Sequence, residues 1–228
     1  MSTSGAELSV RLYIFSGARK SNWALLKCFG RLRMELTRSN DLRFVRAMGC
    51  GQGIGFSMLP DLSRYAVMAV ADDAQLDAFE AGRAMTGLAG AAKSLDIYDL
   101  LPLRGHGLWD GVAPFEAAED PLPGAPIAVL TRARVPLRAI PEFIRQSNKV
   151  TAALAAAPGR IFSLGMGELP LIRQATFSVW ADSAAMEAFA YGNEKHRTAV
   201  AATRKKRLFG EELFWRFAIR GYTKRPLG

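Results

Sequence analysis

The sequence predicts an α+β protein in which two tandem β-α-β-β-α-β units close into one pseudo-symmetric barrel. The first observation is an internal repeat, because Gly49-Cys50-Gly51 and the apolar run and aspartate that follow it recur from Gly165-Met166-Gly167 onward. The copies lie roughly 115 residues apart, which is long enough for one such unit. The second observation is that strand-like and helix-like runs alternate in the same order in each copy. Half of the 228 residues are hydrophobic, so the chain can build a large core.

The first unit is expected to contain four strands, because four runs are rich in β-branched and aromatic residues. These runs cover 8–15, 43–48, 64–71 and 95–103. One helix is expected after Ser21 or Asn22 and another after Asp72 or Asp73, since these side chains can accept hydrogen bonds from the free N–H groups of a helix start. The glycine-rich segment 49–55 lies between two strands and is predicted to be a hairpin connection, whereas a phosphate-binding loop leads into a helix.

The second unit repeats this order of elements. Its strands are expected at 127–135, 160–165, 173–180 and 213–220. Its helices are expected at 140–157 and after Asp182 or Ser183. The proline-rich segment between the units is predicted to be a linker. The expected domains, packed as one compact unit, are an N-terminal ferredoxin-like repeat, the linker and a C-terminal ferredoxin-like repeat, at 1–113, 114–126 and 127–228.

Each four-stranded sheet carries helices on one face, so we expect the two remaining faces to meet as a barrel. Strand 173–180 places its alternate side chains on two faces. We expect one set to pack against the helices, namely Ala175, Phe177 and Val179. We expect the other set to point into the barrel, namely Gln174, Thr176, Ser178 and Trp180. A polar and aromatic inner face would suit an occupied cavity.

Charge and composition narrow the classes of function. The formal net charge is +9, and a solvated basic surface, anionic membrane lipid and an acidic partner all fit it. The sequence has no zinc finger, basic zipper or RNA-binding motif, so no nucleic-acid partner is expected. Two cysteines and two histidines are too few for a disulfide framework or a Cys/His zinc site. The lack of a leader-like start and of an apolar run of about 20 residues favours a cytoplasmic protein, with at most peripheral association at the inner face of the membrane.

His196 is the leading candidate for a cofactor ligand, because the first copy has no histidine at the corresponding place. If a helix covers 194–207, His196 shares one helix face with three small side chains, those of Ala199, Val200 and Thr203. Small neighbours leave room for a flat cofactor, and a neutral imidazole is a standard axial ligand of haem iron. The alternative is a surface histidine without a ligand.

Two arginines are further candidates. Arg132 interrupts an apolar strand, and a buried guanidinium needs a partner, which a haem propionate could supply; the alternative is an arginine that reaches solvent. Arg173 could face an iron-bound oxygen species or lie at the strand entrance. His106 is expected to be a loop residue, and Cys50, with no histidine nearby in the sequence, is not expected to be a nucleophile.

Several motifs of the chain match those of one known family. The most specific is the run 162–180, which reads FSLGMGELPLIRQATFSVW. A second stretch runs from Met186 through His196 to 211–217. Weaker matches lie at 49–56, 111–115 and 130–133. In these motifs, which cover nearly the whole chain, the sequence resembles the spheroidene monooxygenase family of carotenoid biosynthesis.

The resemblance implies a haem-dependent monooxygenase with the dimeric α+β barrel architecture. His196 matches the family's motif and would bind the iron of haem b. The expected cofactor-binding residues are His196, Arg132, Thr176, Trp180 and Val200. Arg173 stands where members of the family carry histidine, and it is the expected catalytic residue opposite the iron ligand.

The resemblance also implies partners and a reaction. An external reductant such as a ferredoxin would supply electrons, and an apolar substrate such as a carotenoid would be hydroxylated at a C–H bond. A second hydroxylation of the same carbon would collapse to a ketone. The basic surface suits both an acidic ferredoxin and a membrane that carries carotenoid. The oligomeric state is left open, and a homo-oligomer fits.

Three other functions stay open at this point. One is a different haem enzyme on the same barrel, a dehydratase or an oxidase that acts on a small nitrogen-containing metabolite. Another is a haem-binding protein without enzymatic activity. A third is a cofactor-free barrel protein that binds an apolar ligand.

Overall fold

The computed structural model describes residues 8–18, 22–38, 42–118, 125–192 and 209–227. Within these ranges the first half of the chain forms four strands and three helices. In chain order they are β1 (Ser9–Ser16), α1 (Asn22–Arg38), β2 (Phe44–Gly51), β3 (Pro60–Ala71), α2 (Asp73–Ala81), α3 (Arg83–Ala91) and β4 (Ser94–Gly107). The helix α3 is an addition to the predicted order of elements.

The described part of the second half repeats the order of the first. In chain order its elements are β5 (Ile127–Arg134), a 3₁₀ turn (Leu137–Ala139), α4 (Ile140–Ala155), β6 (Arg160–Leu169), β7 (Arg173–Trp180), α5 (Ser183–Glu187), a π-helical turn (Ala188–Gly192) and β8 (Glu211–Pro226). The helix predicted at 194–207 lies outside the described residues. No helix within the described ranges is long and apolar enough to cross a bilayer.

Aspartates begin the corresponding helices of the two halves, as the sequence predicts. The Asp72 carboxylate accepts a hydrogen bond from the N–H of Gln75, whose side chain accepts one from the N–H of Asp72. The Asp182 carboxylate accepts a hydrogen bond from the N–H of Ala185 at 2.7 Å. Each cap satisfies N–H groups that a helix start leaves free.

The eight strands form one closed antiparallel barrel, which confirms the predicted fold class. Their order around the barrel is β1-β3-β2-β6-β7-β5-β8-β4. The two halves meet at a short seam between β2 and β6 and a long seam between β4 and β8. Because pairing along the long seam continues past the apolar alternation, β4 and β8 extend beyond the predicted 95–103 and 213–220.

The inside of the barrel is a packed apolar core to which all eight strands contribute. On β7 the side chains that point into it are Ala175, Phe177 and Val179. The prediction that this set faces the helices is therefore wrong. An eight-stranded barrel is just wide enough for side chains to fill it, so on β7 the uniformly apolar set packs inside.

The opposite set on β7 faces outwards, where Trp180 packs with Ile127, Leu154 and Met186. Thr176 and Ser178 share this outer face because side chains alternate along a strand. The prediction that these polar residues line a cavity between the sheets is also wrong. Any cofactor bound by Thr176 and Trp180 must lie outside the barrel, between the sheet and the helices of the second half.

Candidate functional site

Two adjacent rows of side chains cross the outer face of the second half, with one residue from each of β6, β7, β5 and β8. One row consists of Ser163, Ser178, Val129 and Arg216. The other consists of Gly165, Thr176, Thr131 and Phe214. Pairing therefore sets hydroxyl side chains next to one another, two serines in the first row and two threonines in the second.

Buried polar groups distinguish this face from an ordinary helix-covered sheet. Ser163 and Ser178 are 4% and 7% exposed, and the indole N–H of Trp180 donates to Ser178 Oγ at 3.0 Å. The Arg216 Nη1 donates to Glu187 at 2.9 Å, while its buried Nε has no hydrogen-bond partner among the described residues. A buried N–H without an acceptor is costly. Arg216 is therefore a candidate donor to an anionic group bound on this face.

The connection between β2 and β3 forms one wall of this face, although it belongs to the first half. Gly165 has no side chain, and a Cβ at this position would overlap the carbonyl oxygen of Gly55. Gly55 also lies against Thr151 of α4, and Phe56 packs edge-on against Phe143 with ring centroids 4.9 Å apart. The segment is a hairpin connection, as predicted, but its position across the second half is not evident from the sequence.

His196 and Val200 lie outside the described residues, and their roles stay predictions. The chain before them ends in the π-helical turn, where the Phe189 ring lies 5.1 Å from the Trp180 ring. The chain after them returns at Phe209, whose ring lies 6.1 Å from that of Phe143. Both ends of the segment that carries His196 are therefore held at the outer face of the second half.

A second group of polar side chains lies inside the barrel at one of its ends. The Arg132 side chain is 1% exposed and donates from Nη2 to Asp110 at 2.7 Å and from Nη1 to Glu211. Arg46 from β2 forms an ion pair with Glu168 at 3.0 Å. We call the set Arg46, Asp110, Arg132, Glu168, Arg173 and Glu211 the end cluster. It opposes three guanidinium groups to three carboxylates.

A tight turn closes the end cluster. Asp110 and Gly111 have φ values of 53° and 78°, and both of their N–H groups donate to the Glu211 carboxylate at 2.8 Å. Burial alone would raise the pKa of Glu211, but these two N–H donors and the Arg132 guanidinium outweigh it and hold the pKa below its ordinary value. The Trp109 indole donates to Glu168 at 3.1 Å, so the turn is tied to the barrel wall.

The structure divides the predicted site residues between these two places. Thr176 and Trp180 lie on the outer face of β7, whereas Arg132 and Arg173 point inwards at the end cluster. A single flat cofactor cannot contact both sets through the sheet. Arg173 forms its ion pair with Asp110 at 3.3 Å, so the partners of both arginines are carboxylates of this chain.

The remaining candidates from the sequence show no site chemistry. The prediction that His106 is a loop residue is wrong, because β4 continues past it and pairs it with Phe214 of β8. His106 is exposed, and its ring stacks on that of Phe214 with centroids 6.0 Å apart. Cys50 is fully buried in the barrel core, and burial raises the pKa of its thiol, which disfavours the nucleophilic thiolate. Among the described residues no group of three His, Cys, Asp or Glu side chains could hold a metal ion.

The sequence interpretation missed Ser163, Arg216 and Phe56 as residues of the outer face. The sequence does indicate that Arg216 faces outwards, because side chains alternate along a strand and its neighbours Trp215 and Phe217 both point into the barrel. Phe56 had none, because its contact with Phe143 joins residues far apart in the chain.

Curated proteins similar to this chain were found, whereas no protein-family model matches it. The chain is 34% identical over 223 residues to a spheroidene monooxygenase of Rhodobacter capsulatus, covering 93% of this chain and 90% of that protein. It is 32% identical over 182 residues to a spheroidene monooxygenase of Cereibacter sphaeroides, covering 78% of this chain and 56% of that protein. The first match runs nearly end to end in both proteins.

Among solved structures, a crystal structure of an aldoxime dehydratase in complex with butyraldoxime superposes with a TM-score of 0.58. It covers 97% of this chain and 82% of that protein, and the two sequences are 8% identical. At this identity the likeness concerns the barrel fold alone.

Proposed function

The chain belongs to the spheroidene monooxygenase family, and from that premise we propose that it inserts oxygen into a C–H bond of a carotenoid. The proposal is carried by one observation, the end-to-end similarity to the Rhodobacter capsulatus protein. An apolar substrate suits the outer face of the second half, which is bordered by aromatic rings. A product ketone would result from two successive hydroxylations of one carbon.

Haem b is the proposed cofactor, and the outer face of the second half is its proposed place. His196 would hold the iron, with Val200 beside it on the same segment. Thr176 and Trp180 would line the flat group, and the unpartnered Nε of Arg216 would donate to an acidic edge group. Bound haem would supply the oxidising chemistry that amino-acid side chains cannot supply by themselves.

The side chains around this face have tasks that do not depend on the details of that chemistry. Phe56, Phe143, Phe189 and Phe209 would exclude water and present an apolar border to the substrate. The polar row beneath them would orient the bound group, since Ser178 is itself held by the Trp180 indole. The net charge of +9 would attract an acidic reductant such as a ferredoxin.

We assign Arg132 and Arg173 to the end cluster rather than to the cofactor. The Nη atoms of Arg132 and Nη1 of Arg173 pair with Asp110 and Glu211, while the buried Nε of Arg132 has no hydrogen-bond partner among the described residues. Both side chains lie on the opposite face of the sheet from Thr176. In this place they would keep the barrel end closed and β5, β7 and β8 in register.

The cofactor is tested by adding haem to the purified full chain and recording its absorption spectrum. The wild type and a His106→Ala control should show a Soret band, and His196→Ala should lose it. A wild type that stays colourless would overturn the haem assignment and leave a cofactor-free oxygenase.

The reaction is tested by incubating the haem-loaded protein with a carotenoid, oxygen and a reducing system. Hydroxylated or keto carotenoid in the extract would support the proposal. A protein that binds haem yet leaves carotenoid unchanged would overturn the substrate class while leaving the cofactor in place.

A further inference from the structure

We propose that helix α1, together with the cleft between α1 and α3, forms a docking surface for an anionic phospholipid bilayer. This surface lies on the first half and requires neither haem nor carotenoid. The proposal therefore goes beyond the oxygenase activity and stands or falls separately from it.

Helix α1 has two clearly different faces. Leu25, Phe29 and Leu32 are buried against the outer face of the first half, at the spacing of one helix face. On the opposite side an exposed stripe recurs every three or four residues and consists of Trp23, Lys27, Arg31 and Met34. The buried face fixes the helix, and the exposed stripe is free to contact a partner.

The two ends of the stripe are unusually apolar for a protein surface. The Trp23 side chain is 76% exposed and Met34 is 56% exposed. The other three tryptophans of the chain, Trp109, Trp180 and Trp215, are all buried. Leaving a large aromatic side chain in water forgoes the gain of burial, which favours a partner at this place.

Cationic groups lie between and beside the apolar ends. Lys27, Arg31 and Arg33 are exposed and form no ion pair with any other described residue. Glu35 is the one acidic residue in the sequence of α1. The stripe therefore presents uncompensated positive charge flanked by two apolar anchors.

A cleft of about 360 Å³ opens beside the stripe between α1 and α3. Arg31 and Arg83 line it from the two helices, together with Thr86, and Glu35 is the one acidic residue among the described residues of its wall. Two guanidinium groups on opposite walls suit a phosphate, because each can donate two parallel hydrogen bonds to its oxygens. The cleft is a place for a lipid headgroup next to helix residues that would enter the interface.

The combination favours a bilayer over a soluble acidic protein. Tryptophan prefers the boundary between headgroups and acyl chains, and a helix with an apolar and basic outer face lies flat in that boundary. The net charge of +9 adds long-range attraction to an anionic leaflet. In the barrel order, the strands under α1 are separated from β5 and β7, so docking through α1 leaves the outer face of the second half uncovered.

Vesicle sedimentation with the full chain tests the proposal. We expect binding to vesicles of phosphatidylcholine mixed with phosphatidylglycerol, weaker binding to phosphatidylcholine alone, and loss of binding at high salt. Binding should shift the tryptophan emission to the blue, because Trp23 is the one tryptophan in water. Each basic residue contributes enough that Lys27→Glu/Arg31→Glu should weaken partitioning by more than about tenfold.

Three exposed residues of the second half serve as the matched control. Leu137 is 72% exposed and Arg138 and Lys149 are exposed, so Leu137→Ser and Arg138→Glu/Lys149→Glu change the same chemistry at another place. Trp23→Ser and the α1 charge reversal should weaken binding while the control variants retain it. Equal loss in both sets would overturn the surface assignment, as would failure to bind vesicles or binding to an acidic protein instead of vesicles.

Discussion

The outer faces of the two halves are built from the same order of strands and helices but carry different side chains. In the first half, helices α1, α2 and α3 cover a single apolar cluster that includes Phe29 and Leu32. Within the described ranges, the hydroxyls of Tyr13 and Tyr65 are buried on this face without a hydrogen-bond partner. Among the described residues of the second half, the corresponding face carries two smaller clusters, and Ser163 and Ser178 are buried on the sheet below.

The repeat makes this difference visible residue by residue. In the aligned strands, Ala66, Met68 and Val70 correspond to the inward side chains of β7, and all of them are apolar. The outward positions differ, because Val67 and Ala69 are replaced by Thr176 and Ser178. In this pair of strands the inward set stays apolar in both copies, and outward hydroxyl side chains occur only in the second copy.

The largest expected effect on stability comes from a cavity in the apolar cluster on the outer face of the first half. Leu32→Ala should lower the free energy of unfolding by about 2–5 kcal/mol, because it leaves a cavity in a fully buried cluster. Thr176→Ala on the other face should change it by less than about 1 kcal/mol without haem. Urea denaturation of the haem-free protein measures both, and equal losses would erase the contrast between the two faces.

Gly49 and Gly165 occupy the same position in the two repeats but differ in the space around them. Gly165→Ala should cost about 1–3 kcal/mol, because the new Cβ would overlap the Gly55 carbonyl. Gly49→Ala is the matched control, since a Cβ there would meet no atom within 4 Å. Thermal unfolding of the two variants provides the measurement, and a harmless Gly165→Ala would show that the β2–β3 connection does not lie on β6.

Exchanging the serine of one face for the alanine of the other is a smaller test. Ser178→Ala removes the acceptor of the Trp180 indole and should cost about 1 kcal/mol. Ala69→Ser would bury a hydroxyl in the apolar cluster and should cost about 1–3 kcal/mol unless it finds a partner. Denaturation midpoints of the haem-free variants compare the two effects, and a stabilising Ala69→Ser would contradict an apolar environment at this position.

The smallest effect is an acid dependence at the end cluster, which both halves share. The pKa of Glu211 is lower in the folded protein than its ordinary value of 4.5, so its contribution to stability is present above that pH and is lost as the pH falls through the folded pKa. Glu211→Gln should flatten this part of the stability profile. The test is to measure unfolding midpoints of the wild type and the variant from neutral to acid pH. The same dependence of midpoint on pH in both proteins would refute the role of this carboxylate.

The sequence alone could predict the doubled fold but not which face carries the polar residues. Repeat spacing, the caps Asp72 and Asp182 and strand alternation are local signals, and all three appear in the structure. The face of β7 was misassigned because alternation shows that two sets exist without showing which one the barrel encloses. Comparing Met68 with Phe177 in the two copies would have identified the inner set, since the enclosed positions are apolar in both.

The end cluster could not be predicted from the sequence for another reason. The position of Arg132 in an apolar strand predicts a buried charge. Its partners are distant in the sequence, since Asp110 lies in a turn and Glu211 begins β8. Their meeting depends on barrel closure, which no local pattern encodes.

Hydrogen exchange of the full chain with and without haem tests most directly whether the outer face of the second half is the cofactor face. Haem should slow exchange in α4 and in the peptides that flank His196, and leave α1 and α3 unchanged. Slowing confined to α1 and α3, or no slowing in any peptide despite a Soret band, would contradict the assignment.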